Sequence, residues 1–254
     1  MKAWNQRVLP AAARRAVVGG LVFASWLVAA TTAAASTFNI APIRANLGAA
    51  RHTDVLTLAN AEDRPVVVQV RVLRWSQVGG EESLEETRDI LATPPVLQIA
   101  PKSEQIVRVA LRQAPDASRE LAYRVIFQEV PLSAAKDFNG LRVALRLSVP
   151  VFIAPSAGKP AADVQWESRW LEDGKLEIAA SNRGAAHLQI TDFEVQLPGA
   201  AEPVRGLSSK YVLPGSRMSW ILTPSGDTAH QGPIRIHGHS DLGEFSADVA
   251  STSL

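Results

Sequence analysis

The chain of 254 residues has no cysteine. That removes thiol nucleophiles, Cys-based metal sites and disulfides together. An oxidising compartment permits disulfides without requiring them, and domains of about 100–150 residues can rest on packing alone. Neither sign of charge is in excess, with 26 Lys and Arg against 25 Asp and Glu. Four of the basic residues and none of the acidic ones precede residue 36, so the remainder carries 22 against 25, a net charge of −3. A mildly acidic chain without a basic stripe is a poor match for a phosphate backbone, and nucleic-acid binding is not expected. After residue 36 there is no convincing amphipathic helical spacing. There is also no Gly-x-Ser-x-Gly elbow and no phosphate-cradling glycine loop. Ser, His and Asp are present, but no spacing singles out a triad. Nothing supports an enzyme or a small-molecule substrate.

What is present begins with an export signal. Lys2, Arg7, Arg14 and Arg15 precede an uncharged apolar run, Ala16 to Ala30, and Ala33-Ala34-Ala35 supplies the small residues that signal peptidase favours. A membrane anchor is the rival reading, but the run is short for a span of about 20 residues. Residues 1–35 are therefore expected to be a signal peptide.

From residue 36 on, period-two alternation dominates. Val66 to Trp75 is rich in β-branched residues, Ile106 to Arg112 alternates apolar and basic, and Tyr123 to Val130 does much the same. Pro65, Gly79-Gly80, Pro94-Pro95, Pro101 and Pro131 punctuate these runs. Ala154 to Ala162 is a small-residue Pro/Gly stretch that reads as a linker. Beyond it, strands are expected at about 163–170, 175–182, 186–196, 216–223, 231–238 and 243–249, with turn signals between them. The fold class is thus all-β, with two sandwich domains in tandem, 36–155 and 163–254.

The longest alternation places Leu141, Val143, Leu145, Leu147, Val149 and Val151 on one strand face. Such a face serves either the domain's own core or a partner. Pro150 favours an edge position, because proline lacks a ladder donor.

Polar constellations are fewer. His237 and His239 share a strand face, and Asp241 offers a third ligand, but the three read better as an exposed polar strand end, and no metal is expected. Glu81, Glu82, Glu85 and Glu86 beside Gly79-Gly80 read as a solvated loop. Two arginines stand out, Arg44 after Ala41-Pro42-Ile43 in the expected first strand, and Arg124 within the apolar run Leu121 to Phe127. Each either faces water or joins a pair that holds a carboxylate through bidentate hydrogen bonds.

At several points the residues match a known family. Ala92-Thr93-Pro94-Pro95-Val96, Ile99-Ala100-Pro101, Val107-Arg108-Val109 and Tyr123 to Pro131 resemble the first domain of periplasmic pilus chaperones of the chaperone–usher systems. Leu145 to Phe152, with its Ser-Val-Pro-Val-Phe core, is similar to the archaic, spore-coat-U-like branch, as are Ser181-Asn182-Arg183-Gly184 and Tyr211 to Gly215. The resemblance implies two immunoglobulin-like domains set at an angle and no cofactor. It implies that the strand at 141–151 is donated to pilus subunits, which are incomplete sandwiches with an unpaired sheet edge. Val143 to Val149 are the residues most expected to enter the subunit's groove. Arg44 and Arg124 would bind the subunit's C-terminal carboxylate, and Pro150 stands where another branch has a lysine. Glu129 and Asp241 match acids that bridge the domains, although the position of their basic partner holds Ala154. An outer-membrane usher would be the second partner, and the free protein would form a self-capping oligomer through its apolar strand. A structural or adhesive pilus subunit is the alternative reading. The exported protein should begin at Ser36, which mass spectrometry of the periplasmic form would check; an intact N-terminus would favour the anchor.

Overall fold

The computed structural model describes residues 38–131, 143–206, 209–224 and 232–253. The signal-peptide reading of residues 1–35 and the expected site residue Leu141 lie outside them. Where apolar residues alternate, strands form, and the turn residues end them. The first sandwich holds β1 (Phe38–Ala41), β2 (Ala45–Leu47), β3 (Thr53–Asn60), β4 (Val66–Val78), β5 (Glu81–Glu86), β6 (Ile90–Thr93), β7 (Val96–Ile99), β8 (Glu104–Leu111), β9 (Leu121–Val130) and β10 (Arg146–Ile153). One sheet runs β1-β3-β8-β6; the other runs β2-β10-β9-β4-β5, with β7 also on β4. Leu56, Leu58, Val107, Val109, Tyr123, Val125 and Phe127 meet in the core between them.

The acidic stretch expected as a loop is strand β5, which pairs with β4 from Val78↔Glu81 to Leu73↔Glu86. Its four glutamates lie exposed at the sheet's margin. No apolar alternation marks it, because an edge strand with water on most sides needs none, and the charges discourage a further strand from adding there.

The second sandwich holds β11 (Val164–Trp170), β12 (Leu176–Asn182), β13 (Leu188–Gln196), β14 (Val204–Gly206), β15 (Lys210–Val212), β16 (Arg217–Leu222), β17 (Pro233–Ser240) and β18 (Gly243–Ser253). Its strand path is β14-β13-β17-β18-β11-β12-β16, with β15 also on β13. The end of β18 crosses over to run parallel with β11 and so joins the two layers. Each of the six strands expected in this half is present. The three-residue strands β14 and β15 are too short to show a period in the sequence.

The stretch between the sandwiches is tied at both ends. Ala154 N–H donates to the Leu47 carbonyl at 2.9 Å, and Ser156 N–H donates to that of Asp116 at 2.8 Å. At the far end, Ala185 N–H donates to the Ala161 carbonyl at 2.9 Å. Asn182 is the anchor there. Its amide Nδ2 donates to the carbonyls of Ala186 (2.7 Å) and Val212 (3.0 Å), and its Oδ1 accepts from Asp163 N–H (3.1 Å) and Gly184 N–H (2.9 Å). Gly184 is required by the same close approach, since a Cβ there would lie 2.2 Å from the Ala161 oxygen. Replacing Asn182 with Ala would strand several buried backbone groups, each costing about 1–3 kcal/mol. Asn182→Ala should lower unfolding stability by about 2 kcal/mol or more, measured by urea titration.

Candidate functional site

The six-stranded sheet of the first sandwich is buried on both faces where it meets the second. On β9, Tyr123, Val125 and Phe127 point into the domain's own core, so Ala122 and Arg124 point outward. On β4, Val66, Val68 and Val70 point inward near the start. Further along, Trp75 and Gln77 are buried on the opposite face. The outward residues Trp75, Ala122 and Phe152 pack with Leu213 and Tyr211 of the second sandwich. Tyr211 meets Trp75 edge-on at 5.3 Å between ring centroids, and Phe152 is tilted against both rings at 6.0 and 5.7 Å. Gln77 pins the contact, with Nε2 donating to the Tyr211 carbonyl (2.8 Å) and Oε1 accepting from Leu213 N–H (2.9 Å).

The two arginines picked out from the sequence both come to Tyr211, each with its guanidinium carbon 5.6 Å from the ring centroid. Their situations differ. Arg44 lies in the bend before β2, after Pro42, and not in a strand as expected. It donates to Asp241 Oδ2 (3.0 Å), Gln189 Oε1 (3.0 Å) and the Tyr211 hydroxyl (3.3 Å), all in the second sandwich. Burial opposes its charge, but Tyr211 and Asp241 outweigh burial and raise its pKa. Arg44 therefore supplies the cation that position 154 lacks, and it holds the domains together. As a free carboxylate receptor it is already occupied.

Arg124 lies over Trp75, with 3.6 Å from its guanidinium carbon to the ring centroid. That is cation–π geometry. Its side chain is 13% exposed, and its ion partner Glu82 is 3.5 Å away. Burial pushes the Arg124 pKa down, and Glu82 and Tyr211 offset this only in part. Among the described residues Glu82 is the hydrogen-bond acceptor of this guanidinium, whose five N–H donors suit a planar anion.

Strand β10 pairs with β9 along its whole length, in register from Arg146↔Gln128 to Ile153↔Leu121. On its other side it pairs with β2 only at Val151–Ile153. Among the described residues, Arg146–Pro150 therefore forms an open edge about 16 Å long. The edge ends opposite Arg124, which is the cross-strand neighbour of Pro150. The edge position read from Pro150 thus applies to the first part of the strand.

The side chains of this strand correct the expectation. Val149 (4% exposed) and Val151 (0%) belong to the domain's own core, with Ile153 beside them. Leu145 and Leu147 pack half-buried at its margin, and Val143 is 65% exposed. Sharing a face is legible in sequence, but what covers the face is not. Val143, Leu145 and Leu147 remain within reach of a partner. Glu129, expected to bridge the domains, takes Leu145 N–H on Oε2 at 3.1 Å, and its own N–H donates to the Leu145 carbonyl at 2.9 Å. It holds the entry to β10.

A residue missed in the sequence completes the junction. His187 stacks on Phe152 at 3.5 Å between centroids, with an interplanar angle of 7°. Its Nδ1 is 2.6 Å from Glu120 Oε1, and its Nε2 faces Asp241 Oδ2 at 3.7 Å, an ion-pair distance longer than a hydrogen bond. Only a long-range contact distinguishes this histidine, and no local pattern reveals it. His237, His239 and Asp241, weighed as metal ligands and read as a polar strand end, have other partners. His239 pairs with Asp192 at 2.9 Å, and Asp241 is engaged by Arg44 and by the N–H of Gln189.

Comparison with known proteins agrees with this architecture. Residues 37–159 match the family model described as pili and flagellar-assembly chaperone, PapD N-terminal domain. No curated protein matches the chain. Among solved structures, the chain is similar to the chaperone in the CsuC–CsuE chaperone–tip adhesion subunit pre-assembly complex of the archaic chaperone-usher Csu pili of Acinetobacter baumannii. That match has 23% identity and a TM-score of 0.63, and covers 85% of this chain and 100% of that one. It is also similar to the YadV chaperone, with 19% identity, a TM-score of 0.58 and coverage of 83% and 98%. For the Pseudomonas aeruginosa CupB2 chaperone the values are 20%, 0.53, 82% and 97%. At these identities the likeness speaks to the two-sandwich fold.

The junction should respond to pH. Burial opposes the charge on His187, but Asp241 and Glu120 outweigh it and raise its pKa above 6.5. Burial likewise works against Asp241, which His187, Gln189 N–H and Arg44 nevertheless hold down at about 2. The His187 contribution to stability is therefore complete below pH 6.5 and lost as pH rises through the raised value. That of Asp241 is present above 3.8 and lost as pH falls toward 2. Urea unfolding at about pH 5.5 and about pH 8.5 should find His187→Gln more destabilising at the lower pH. An equal effect at both would contradict the charged pairing.

Proposed function

We propose that the chain, whose residues 37–159 match the PapD N-terminal domain of pilus-assembly chaperones, acts in the periplasm by lending the open edge of β10 to pilus subunits while Arg124 holds their C-terminal carboxylate. The observation that carries this is the junction of the two features: the edge Arg146–Pro150 ends in register at Arg124. The family is one of non-enzymatic chaperones, so the chemistry is recognition alone.

Anchoring at Arg124 would set the direction of a bound strand. If its terminal carboxylate sits at Arg124, its preceding residues extend back toward Arg146. It then runs parallel to β10, as β2 does on the same side further along. Main-chain hydrogen bonds to the edge supply affinity, and Val143, Leu145 and Leu147 are the side chains that meet the subunit's apolar groove. Val149 and Val151 support the strand from beneath. Residues 36–155 form the subunit-binding domain and 163–254 the second domain, which braces the anchor through Tyr211. Release follows when a better-matched donor strand in the growing fibre replaces β10 at an outer-membrane usher. In the free protein the same open edge is suited to pairing with a second copy.

Co-expression with a pilus subunit in a periplasm, followed by pull-down, tests the reading. Wild type should yield a soluble complex. Arg124→Ala should weaken it by about 30-fold or more, the scale for losing one partner of a desolvated charge pair. Leu145→Glu should also reduce it, by charging the apolar margin of β10. Complexes of undiminished yield from both variants would contradict strand lending with carboxylate anchoring.

A further inference from the structure

Arg124 and the acidic edge strand are not independent. Cross-strand pairing sets Glu82 opposite Gln77, so Glu82 shares the outward face that carries Trp75 and Arg124. Gln77 is fixed by its two hydrogen bonds to the backbone of the second sandwich. Arg124 is held as well, lying over the Trp75 ring with Tyr211 alongside. Glu82 is the exposed member, on the sheet edge with its side chain 47% accessible. Its Oε1 lies 3.5 Å from Arg124 Nη2, the long end of hydrogen-bonding distance. One exposed carboxylate thus faces a largely buried guanidinium through a single long contact.

We propose that Glu82 is an internal stand-in for the incoming carboxylate: it occupies the Arg124 anchor in the free protein and is exchanged for the C-terminal carboxylate of the bound chain. This rests on Arg124 being the anchor. Until a partner arrives, Glu82 keeps a buried cation from standing unpaired. It gives way because a bidentate carboxylate lying on the guanidinium uses donors that a single long contact leaves idle. A chain end without a negative charge, such as an amide, cannot repay the displacement, so Glu82 sharpens the preference for a true C-terminus.

The probe is a short acetylated peptide of alternating threonine and valine, made with either a free C-terminal carboxylate or an amide. Binding is measured by calorimetry to the full chain, at low and high salt. Wild type should prefer the carboxylate form. Glu82→Gln should bind that form about two- to fivefold tighter, the scale of one partly exposed ion pair, with a smaller gain for the amide. It should also shift the Arg124 Nε–H resonance in the free protein. Arg124→Ala should erase the preference. If Glu82→Gln leaves both affinity and resonance unchanged while Arg124→Ala still erases the preference, the exchange is wrong and the anchor stands. If Arg124→Ala binds like wild type, or wild type binds neither peptide, the anchor itself fails and the exchange falls with it. Thermal melting of each variant separates these outcomes from misfolding.

Discussion

Trp75 is held between two domains and a cation. One face of its sheet is anchored in the core of the first sandwich. Its indole packs on Phe152 and Tyr211 across the junction, and the Arg124 guanidinium lies 3.6 Å from the ring centroid. The indole N–H makes no hydrogen bond among the described residues, a cost of about 1–3 kcal/mol. A smaller or more polar side chain would avoid that cost, but it would give Arg124 nothing to lie on. Gln77, two residues along the same strand, makes the arrangement rigid by clamping the backbone of Tyr211 and Leu213. The seat of Arg124 is therefore a product of the domain junction and not of the first domain alone.

The two arginines show how context divides one residue type between two tasks. Arg44 meets a carboxylate, an amide oxygen and a hydroxyl from the other domain. With these it makes a structural link, reinforced by His187 between Glu120 and Asp241. Arg124 meets aromatic faces and a single distant carboxylate. Aromatic faces stabilise the cation without filling its in-plane donors. That leaves a largely buried charged group whose in-plane donors suit a carboxylate.

The two edges of the same sheet are managed in opposite ways. At one, β5 presents four glutamates, which resist further strand addition. At the other, Arg146–Pro150 has no partner strand on its outer side among the described residues, with Ser148 and Arg146 exposed and Val149 buried beneath. The proposed role needs one edge available and the other protected. The acid-lined edge also brings Glu82 to Arg124.

The sequence by itself determined the all-β class, the two-domain division and most strands. Alternation such as that of Val66 to Trp75 is a local property that a strand must satisfy wherever it lies. It also marked Arg124, a cation interrupting an apolar run, and the resemblance to pilus chaperones gave that residue a purpose. Tertiary structure decided what covers each face. Val149 and Val151 were expected to serve a partner and lie in their own core. Along β4, the buried face changes from the sandwich interior at Val70 to the domain junction at Trp75 and Gln77, although the residues alternate throughout. Arg44 found Asp241 across 197 positions, and His187 found Glu120 across 67. A period of two records which side chains share a surface. Only the packed chain brings a second surface, from far along the sequence, to decide whether that face becomes core, junction or open edge.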